Sequence, residues 1–196
     1  MTFDIYEFLK KRPLSWSALS SFEYDPAQWY SRYILNTPQE PSAEMLFGKV
    51  FADSCEDRRP LAPVTLLSKM EHSFECSLGR IPLVGYADTF NDVTLRETGE
   101  YKTSKYLWTQ EKVDNHGQIK MYALMNYLIN KVPPEECTFW LENVQTEEQG
   151  DYTIRLKRPI TVHHFETKIS LRDILDFGMR ITKTVEDMEQ YVREHE

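Results

Sequence analysis

The chain has 196 residues, and its 23 Lys and Arg against 31 Asp and Glu give a formal net charge of −8. This length indicates one domain with its own core, and a hydrophobic content of 41% excludes a disordered chain. The negative charge argues against a protein that coats nucleic acid by bulk positive charge, but it is compatible with an enzyme whose carboxylates hold a divalent cation.

The cysteines and the apolar runs indicate the compartment. Cys55, Cys76 and Cys137 are odd in number and too far apart for a zinc clip, so we expect free thiols in a reducing compartment. No apolar run approaches the roughly 20 residues that span a bilayer, and residues 1–9 lack the features of a signal peptide. We therefore expect a cytoplasmic protein without membrane association.

The first third of the chain is predicted to be helical. Helices are expected at residues 16–23, 26–34 and 43–57. Pro26 separates the first two helices. In the third helix we expect Leu46, Val50 and Phe51 to face inward.

Extended segments dominate after residue 60. We expect strands at residues 73–78, 82–90 and 93–102, a helix at 115–131, strands at 137–144, 152–157 and 161–167, and a helix at 171–193. This order predicts an α/β (α+β) fold, a single domain with a central mixed sheet flanked by helices. Within that domain of residues 1–196, the N-terminal helical part covers 15–60 and the sheet-and-helix core covers 70–196.

Acidic and basic residues on neighbouring strands form the first candidate site. Glu100 and Lys102 are two residues apart, so they project from one face of their strand. Taken alone, they would be an ordinary surface ion pair. Asp88 on the preceding strand changes this interpretation, because Mg²⁺ and Mn²⁺ are bound by one or two carboxylates together with water and phosphate. Asp88, Glu100 and the backbone carbonyl of Tyr101 are therefore the predicted metal ligands.

The connection between these two strands tests the shared site. A tight hairpin at Asn91-Asp92 would place Asp88 opposite Leu95, with Glu100 roughly 16 Å further along. No single ion bridges that distance. The metal site therefore requires a wide loop near residues 91–97, or a bulge or bend that brings Asp88 opposite Glu100.

The helix that follows carries one continuous stripe, formed by Gln118, Met121, Tyr122, Met125 and Leu128. Spacing alone favours a core position for Tyr122 and Met125. Gln118 is the polar member of the stripe, and an inward polar side chain needs partners. A role in the site and a structural role are equally compatible with Gln118.

Asp88, Glu100-x-Lys102 and Gln118-x-x-x-Tyr122 together resemble the PD-(D/E)XK nuclease superfamily, specifically its RecB-type exonuclease branch. Residues 15–22 and 26–33 resemble the opening helices of that branch. The resemblance implies a restriction-endonuclease-like core and hydrolysis of DNA with Mg²⁺ or Mn²⁺ held by Asp88 and Glu100. It also implies that Lys102 lies near the scissile phosphate, and that Gln118 and Tyr122 organise the site and touch the substrate backbone.

Two positions depart from this family pattern. Ala52 stands where the branch often has a metal-binding His, and Glu56, one turn later on the same face, is the alternative ligand. Asp25 stands where some members have a cysteine that binds an iron–sulfur cluster, and no C-terminal cysteine cluster follows. We therefore expect no iron–sulfur cluster.

Two functions remain open at this point. The first is a metal-dependent DNA nuclease, either an exonuclease on ends or single strands or an endonuclease. The second is a catalytically degenerate nuclease fold that acts as a DNA-binding or protein-binding adaptor, which Ala52 and the charge of −8 favour. The resemblance also allows a protein partner in DNA repair, recombination, or phage- or CRISPR-related processing.

Two further groups of residues are weighed as DNA contacts. Short basic clusters are candidate contacts to the DNA backbone, although such clusters are more often solvated: Lys10-Lys11-Arg12, Arg58-Arg59, and Arg155 with Lys157-Arg158. Aromatic residues near the N-terminus could stack on single-stranded bases, although packing within the helical part explains them more simply: Trp16, Phe22, Trp29, Tyr30 and Tyr33.

Overall fold

The computed structural model describes residues 3–150 and 153–195. The helices are α1 Ile5–Lys11, α2 Trp16–Tyr24, α3 Pro26–Trp29 with a π-helical continuation Tyr30–Ile34, α4 Ala43–Glu56, α5 Gln110–Asp114, α6 Gly117–Asn130, a 3-10 turn Pro134–Glu136, and α7 Leu171–His195. The strands are β1 Lys69–Leu78, β2 Ile81–Phe90, β3 Glu97–Ser104, β4 Thr138–Glu148, β5 Ile154–Leu156 and β6 Val162–Thr167.

The six strands form one mixed sheet in the order β1-β2-β3-β4-β5, and β6 also pairs with β4. The β3–β4 pair is parallel and the other pairs are antiparallel. Helices lie on both faces of the sheet, since α4 packs on Tyr101 through Phe51 whereas α6 contacts the neighbouring Glu100, and adjacent strand residues point to opposite faces. The predicted fold class, a single α/β domain with a central mixed sheet flanked by helices, is confirmed.

The N-terminal segment is joined to the sheet through its main chain. Leu14 N–H donates to Pro82 O (2.9 Å), and Val84 N–H donates to Leu14 O (3.0 Å). These bonds form a short parallel bridge between Leu14 and Leu83 on the edge of β2. The edge is open there because β2 pairs with β3 only through Phe90 and Thr89.

Several predicted boundaries are wrong. The strand expected at 93–102 begins at Glu97, because residues 91–96 form a loop. Two helices, α1 and α5, were not predicted, since helices of seven and five residues are too short to show a helical repeat. The strand expected at 152–157 is observed at Ile154–Leu156, and residue 152 lies outside the described residues.

The interior face of α4 was also predicted incorrectly. Leu46 and Val50 are 53% and 55% exposed, whereas Phe51 is 1% exposed. Phe51 and Cys55 alone are buried in this helix, so α4 presents a narrow stripe to the sheet. Within the described residues, no helix combines the length and apolar character needed to cross a bilayer.

Candidate active site

The loop between β2 and β3 brings two carboxylates to the same place in the sheet. Phe90 pairs with Thr98 and Thr89 pairs with Gly99, so Asp88 is the next residue in register with Glu100. The connecting loop, residues 91–96, is wide rather than a two-residue turn. The geometric condition for a shared site is therefore met.

The loop owes its width to Asn91. Its side-chain oxygen accepts from the backbone N–H groups of Val93 (3.1 Å) and Thr94 (3.0 Å), and its side-chain amide donates to the Glu97 carboxylate (2.5 Å). Asparagine commonly bonds the backbone two residues onward in this way, which favours a turn over a continued strand. Asn91 thus fixes the register of β3 relative to Asp88.

Beyond this point β2 and β3 separate, and Asp88 occupies the gap. Its carboxylate accepts a hydrogen bond from the Tyr101 N–H (2.6 Å). Because the N–H and C=O of a strand residue point to the same neighbour, the Tyr101 carbonyl is also directed toward the gap. Two carboxylates and one backbone carbonyl therefore surround one position.

Lys102 is held by a carboxylate and an amide. Its ammonium donates to Glu100 Oε1 (2.5 Å) and to Gln118 Oε1 (2.9 Å). Burial lowers the pKa of Lys102, but the Glu100 and Asp88 carboxylates outweigh this effect and raise it. Lys102 is therefore a cation at neutral pH, aimed at the gap between the strands.

Helix α6 completes the network from the other side of the gap. Gln118 Nε2 donates to the Tyr122 hydroxyl (2.6 Å), which lies 3.0 Å from Glu100 Oε2 and also donates to the Tyr86 carbonyl. Burial raises the pKa of Tyr122 well above its usual value, followed by the effect of Glu100. Gly85 allows this approach, since a Cβ there would lie 3.2 Å from the Tyr122 ring.

The two carboxylates share a crowded environment. The pKa of Asp88 is raised well above its usual value by burial first and then by the charge of Glu100. A bound cation would favour the ionised form of both carboxyl groups and offset the repulsion between them. The pair is therefore a favourable place for a cation to bind. Raised pKa values of this kind are common at functional sites and also occur in structural networks.

A cavity of about 420 Å³ opens over this network. Asp88, Glu100, Tyr101 and Lys102 line it from the sheet, and α4 closes it with residues that include Gly48, Phe51 and Ala52. Ala52 thus lines the cavity, at the position where the sequence analysis expected a histidine or, in its place, Glu56 as a ligand. Glu56 is exposed on the last turn of α4 and is not among the lining residues, so its role as a metal ligand stays a prediction.

Two residues near the site were missed or underrated from the sequence. Glu71 on β1 has a positive φ of 49°, and its pKa is raised by burial and then by Glu56 and Glu100. Strand β1 was expected to begin only at residue 73, so nothing indicated a carboxylate here. His116 was expected to be solvated, but its Nδ1 accepts from the Gln118 N–H (3.2 Å), and burial lowers its pKa to about 3.

The structure shows the surroundings of the basic clusters and aromatic residues that the sequence analysis named as candidate DNA contacts. Four cations of the basic clusters have intramolecular partners: Lys10 bonds Glu7, Arg12 bonds the Tyr33 carbonyl and the Asn36 side-chain oxygen, Arg58 bonds the carbonyls of Leu67 and Ser68, and Arg155 bonds Glu147. Among the aromatic residues, Phe22 and Trp29 are 7% and 1% exposed and meet edge to face. These two rings pack within the helical part, as the simpler interpretation predicts.

Comparison with known proteins shows the fold. No family model matches the chain, and no curated protein matches it. A crystal structure from Eubacterium rectale, of a protein provisionally described as an exonuclease, superposes with a TM-score of 0.56 at 10% identity. The match covers 96% of this chain and 82% of that protein. The chain therefore has the fold of that nuclease-like protein.

Proposed function

We propose that this protein is a divalent-metal-dependent deoxyribonuclease that hydrolyses phosphodiester bonds. The observation that carries the proposal is the convergence of Asp88, Glu100 and the Tyr101 carbonyl on one gap in the sheet, with Lys102 beside them. The shared fold with a provisionally described exonuclease supports it. The RecB-type branch is the closest description of the ordered motifs.

The donor set is suited to Mg²⁺ or Mn²⁺. The described residues contain no group of three or more His, Cys, Asp or Glu side chains arranged to hold a metal. Magnesium does not need such a group, because it keeps several waters and uses one or two carboxylates plus substrate phosphate. The carboxylates can accept it while retaining their present bonds, since each offers about four lone-pair positions.

The chain's own residues would divide the work as follows. Asp88, Glu100 and the Tyr101 carbonyl would hold the metal, which when bound lowers the pKa of a water and polarises the phosphate. Lys102 would stabilise the negative charge that develops on the phosphate oxygens. Gln118 and Tyr122 would hold Lys102 and Glu100 in place through the bonds already formed.

Cleavage of labelled single-stranded and double-stranded DNA in Mn²⁺ or Mg²⁺ tests this proposal. Removing a group that stabilises transition-state charge lowers kcat by about 10²–10³, so we expect that loss for Lys102→Ala. Lys183→Ala is the matched control, because Lys183 is 70% exposed on α7 and forms a surface ion pair with Asp187. Metal-dependent cleavage that survives Lys102→Ala would show that these residues are not the catalytic ones.

A degenerate adaptor is the second candidate, favoured by Ala52 in the cavity wall. Isothermal titration with Mn²⁺ separates the two. A nuclease site should bind Mn²⁺ and lose it in Glu100→Ala, whereas an adaptor that binds DNA or a protein partner needs no divalent ion. Should no Mn²⁺ binding occur, Ala52→His would be the variant with which to attempt rescue.

A further inference from the structure

A second cavity, of about 230 Å³, lies beside the middle of β2. Val84 and Tyr86 line it from the strand, and Arg12, Trp29 and Tyr33 are among the residues that line it from the N-terminal segment. Gly85 faces α6, so Val84 and Tyr86 project from the opposite face of β2. We call this space the Tyr86 cavity.

Tyr86 is the exposed aromatic residue of the Tyr86 cavity. Its side chain is 54% exposed, whereas Trp29 and Tyr33 are 1% and 8% exposed. Aromatic rings that a ligand can reach are platforms on which unpaired bases stack. The ring is therefore available to a ligand, while the two buried rings form the cavity wall.

Arg12 supplies positive charge at the rim. Its guanidinium lies 4.7 Å from the centre of the Tyr33 ring, and its hydrogen bonds go to the Tyr33 carbonyl (3.2 Å) and the Asn36 side-chain oxygen (3.3 Å). These partners are neutral, so the charge of Arg12 remains available to a phosphate. An aromatic platform combined with a cationic rim is the arrangement that single-stranded nucleic acid requires.

The size of the Tyr86 cavity restricts the ligand. An apolar cavity of about 150 Å³ accommodates one benzene ring. A cavity of about 230 Å³ therefore has room for one base, and a base pair with its backbone would not fit. A base that enters this cavity must therefore be unpaired.

The Tyr86 cavity is rigidly connected to the candidate active site. Tyr86 and Asp88 are two residues apart on β2, a spacing of about 6.6–6.8 Å. The Tyr86 carbonyl accepts a hydrogen bond from Tyr122, whose hydroxyl also contacts Glu100. A nucleotide bound at Tyr86 would thus have its neighbouring phosphate near the two carboxylates.

We propose that the Tyr86 cavity binds one unpaired base of single-stranded DNA, next to the phosphate to be cleaved. The inference rests on the proposed nuclease function and assigns one of its substrate contacts to Tyr86. Tyr86 stacks on the base, and Arg12 contacts a phosphate at the rim. A continuous duplex would have to separate its strands before entering.

The test is binding of a fluorescein-labelled single-stranded DNA 12-mer, measured by anisotropy without divalent ions so that no cleavage occurs. We compare the unmodified protein with Tyr86→Ala, Tyr86→Phe and Tyr24→Ala. Tyr24 is the matched control because it is 89% exposed and lines neither cavity. Loss of one base–aromatic stack weakens binding about 5- to 100-fold, so we expect that loss for Tyr86→Ala and wild-type affinity for the other two variants.

Equal affinity in all four proteins would overturn the inference, and so would absence of single-strand binding by the unmodified protein. The inference would also be overturned if the unmodified protein bound duplex DNA and Tyr86→Ala weakened that binding as much as it weakened single-strand binding. Paired bases cannot enter the Tyr86 cavity, so duplex binding should not depend on Tyr86. Cleavage in Mn²⁺ is measured separately. If the expected binding pattern is found but no DNA is cleaved, the Tyr86 inference is supported and the nuclease proposal fails. If DNA is cleaved but Tyr86→Ala binds single strands as the unmodified protein does, the nuclease proposal is supported and the Tyr86 inference fails.

Discussion

Asp88 carries an unfavourable free energy in the protein without metal. Its pKa is raised well above the ordinary value by burial and then by Glu100, so the folded state binds the proton more tightly than the unfolded state. The free energy of unfolding therefore falls as pH rises from about 3.9, the unfolded value, to the folded pKa. The full destabilisation is present only above the folded pKa.

We therefore expect Asp88→Asn to raise the melting temperature at pH 8 in EDTA. Asn has no charge to desolvate, and its side-chain oxygen can still accept the bond from the Tyr101 N–H. Each kcal/mol gained corresponds to a rise of about 2–4 °C for a chain of this size. Calorimetry at several pH values should show the difference shrinking as pH falls toward about 4.

Asp173→Asn is the control, with the opposite sign. The pKa of Asp173 is lowered, chiefly by its hydrogen bonds with Ser170 at the start of α7. This substitution should lower the melting temperature at pH 8. If Asp88→Asn destabilised the protein to a similar extent at pH 8, the carboxylate of Asp88 would be part of a favourable structural pair instead.

The residues of the candidate site were predictable because regular periodicity places them. The two-residue repeat of a strand puts Glu100 and Lys102 together, and the four-residue spacing of a helix aligns Gln118 with Tyr122. Glu71 was not predictable, because nothing in the pattern of β1 indicates its positive φ or its nearness to the charge of Glu100. Whether the predicted residues bind metal and cleave DNA stays a prediction.

At the scale of elements, the start of α6 determines where Gln118 lies. His116 caps the helix through its bond from the Gln118 N–H, and Gly117 lies under Trp16. A Cβ on Gly117 would come within 2.1 Å of the Trp16 ring. This contact leaves no room for a side chain at the first residue of the helix.

Gly117→Ala should therefore destabilise the protein by about 1–3 kcal/mol, the usual effect of overpacking. Alanine normally stabilises a helix relative to glycine by about 1 kcal/mol, so the sign is reversed here by packing. Urea denaturation measures the change. Because Gln118 follows Gly117 directly, the proposed nuclease activity should also fall.

Gly178→Ala in α7 is the matched control. A Cβ at Gly178 would lie 3.6 Å from Leu78, which is ordinary van der Waals contact. This variant should be as stable as the unmodified protein or more so, by up to about 1 kcal/mol. Destabilisation of both variants to the same extent would mean that Trp16 is not the cause.

The elements that were predicted incorrectly show where local hydrophobic patterns fail to predict the structure. Residues 93–96 look extended, yet Asn91 turns the chain and β3 starts at Glu97. Leu46 and Val50 look like core residues, yet Phe51 and Cys55 are the buried residues of α4. The first outcome depends on the hydrogen bonds of the Asn91 side chain, and the second depends on how much of α4 the sheet covers. Hydrophobic periodicity in the sequence gives no information about either.

At the scale of the whole molecule, the order of helices and strands was sufficient to predict the architecture. Helices before, between and after groups of strands require a sheet covered on both faces, and this is the arrangement observed. The gap between β2 and β3 was predictable only as a requirement of the metal site. Its other occupants, Leu14 and the tip of α6, come from distant parts of the chain.

The separation of β2 from β3 leaves part of a strand edge inside the sheet without a neighbouring strand. Unpaired strand edges are templates for pairing with other chains, and proteins cover them to avoid aggregation. Leu14 covers this edge through its bonds to Pro82 and Val84. The N-terminal segment thus also protects the protein against self-association.

A chain that begins at Ser15 should therefore associate as its concentration rises, because it exposes the Pro82–Val84 edge together with the apolar surface under Ile5 and Leu9. Light scattering across a concentration series would detect this. A chain lacking only residues 1–3 keeps Leu14 and should stay monodisperse to the same extent as the full chain. The opening that we propose for a substrate and the exposed strand edge thus arise from the same divergence of β2 and β3. We expect Leu14 to cover the edge while the opening remains.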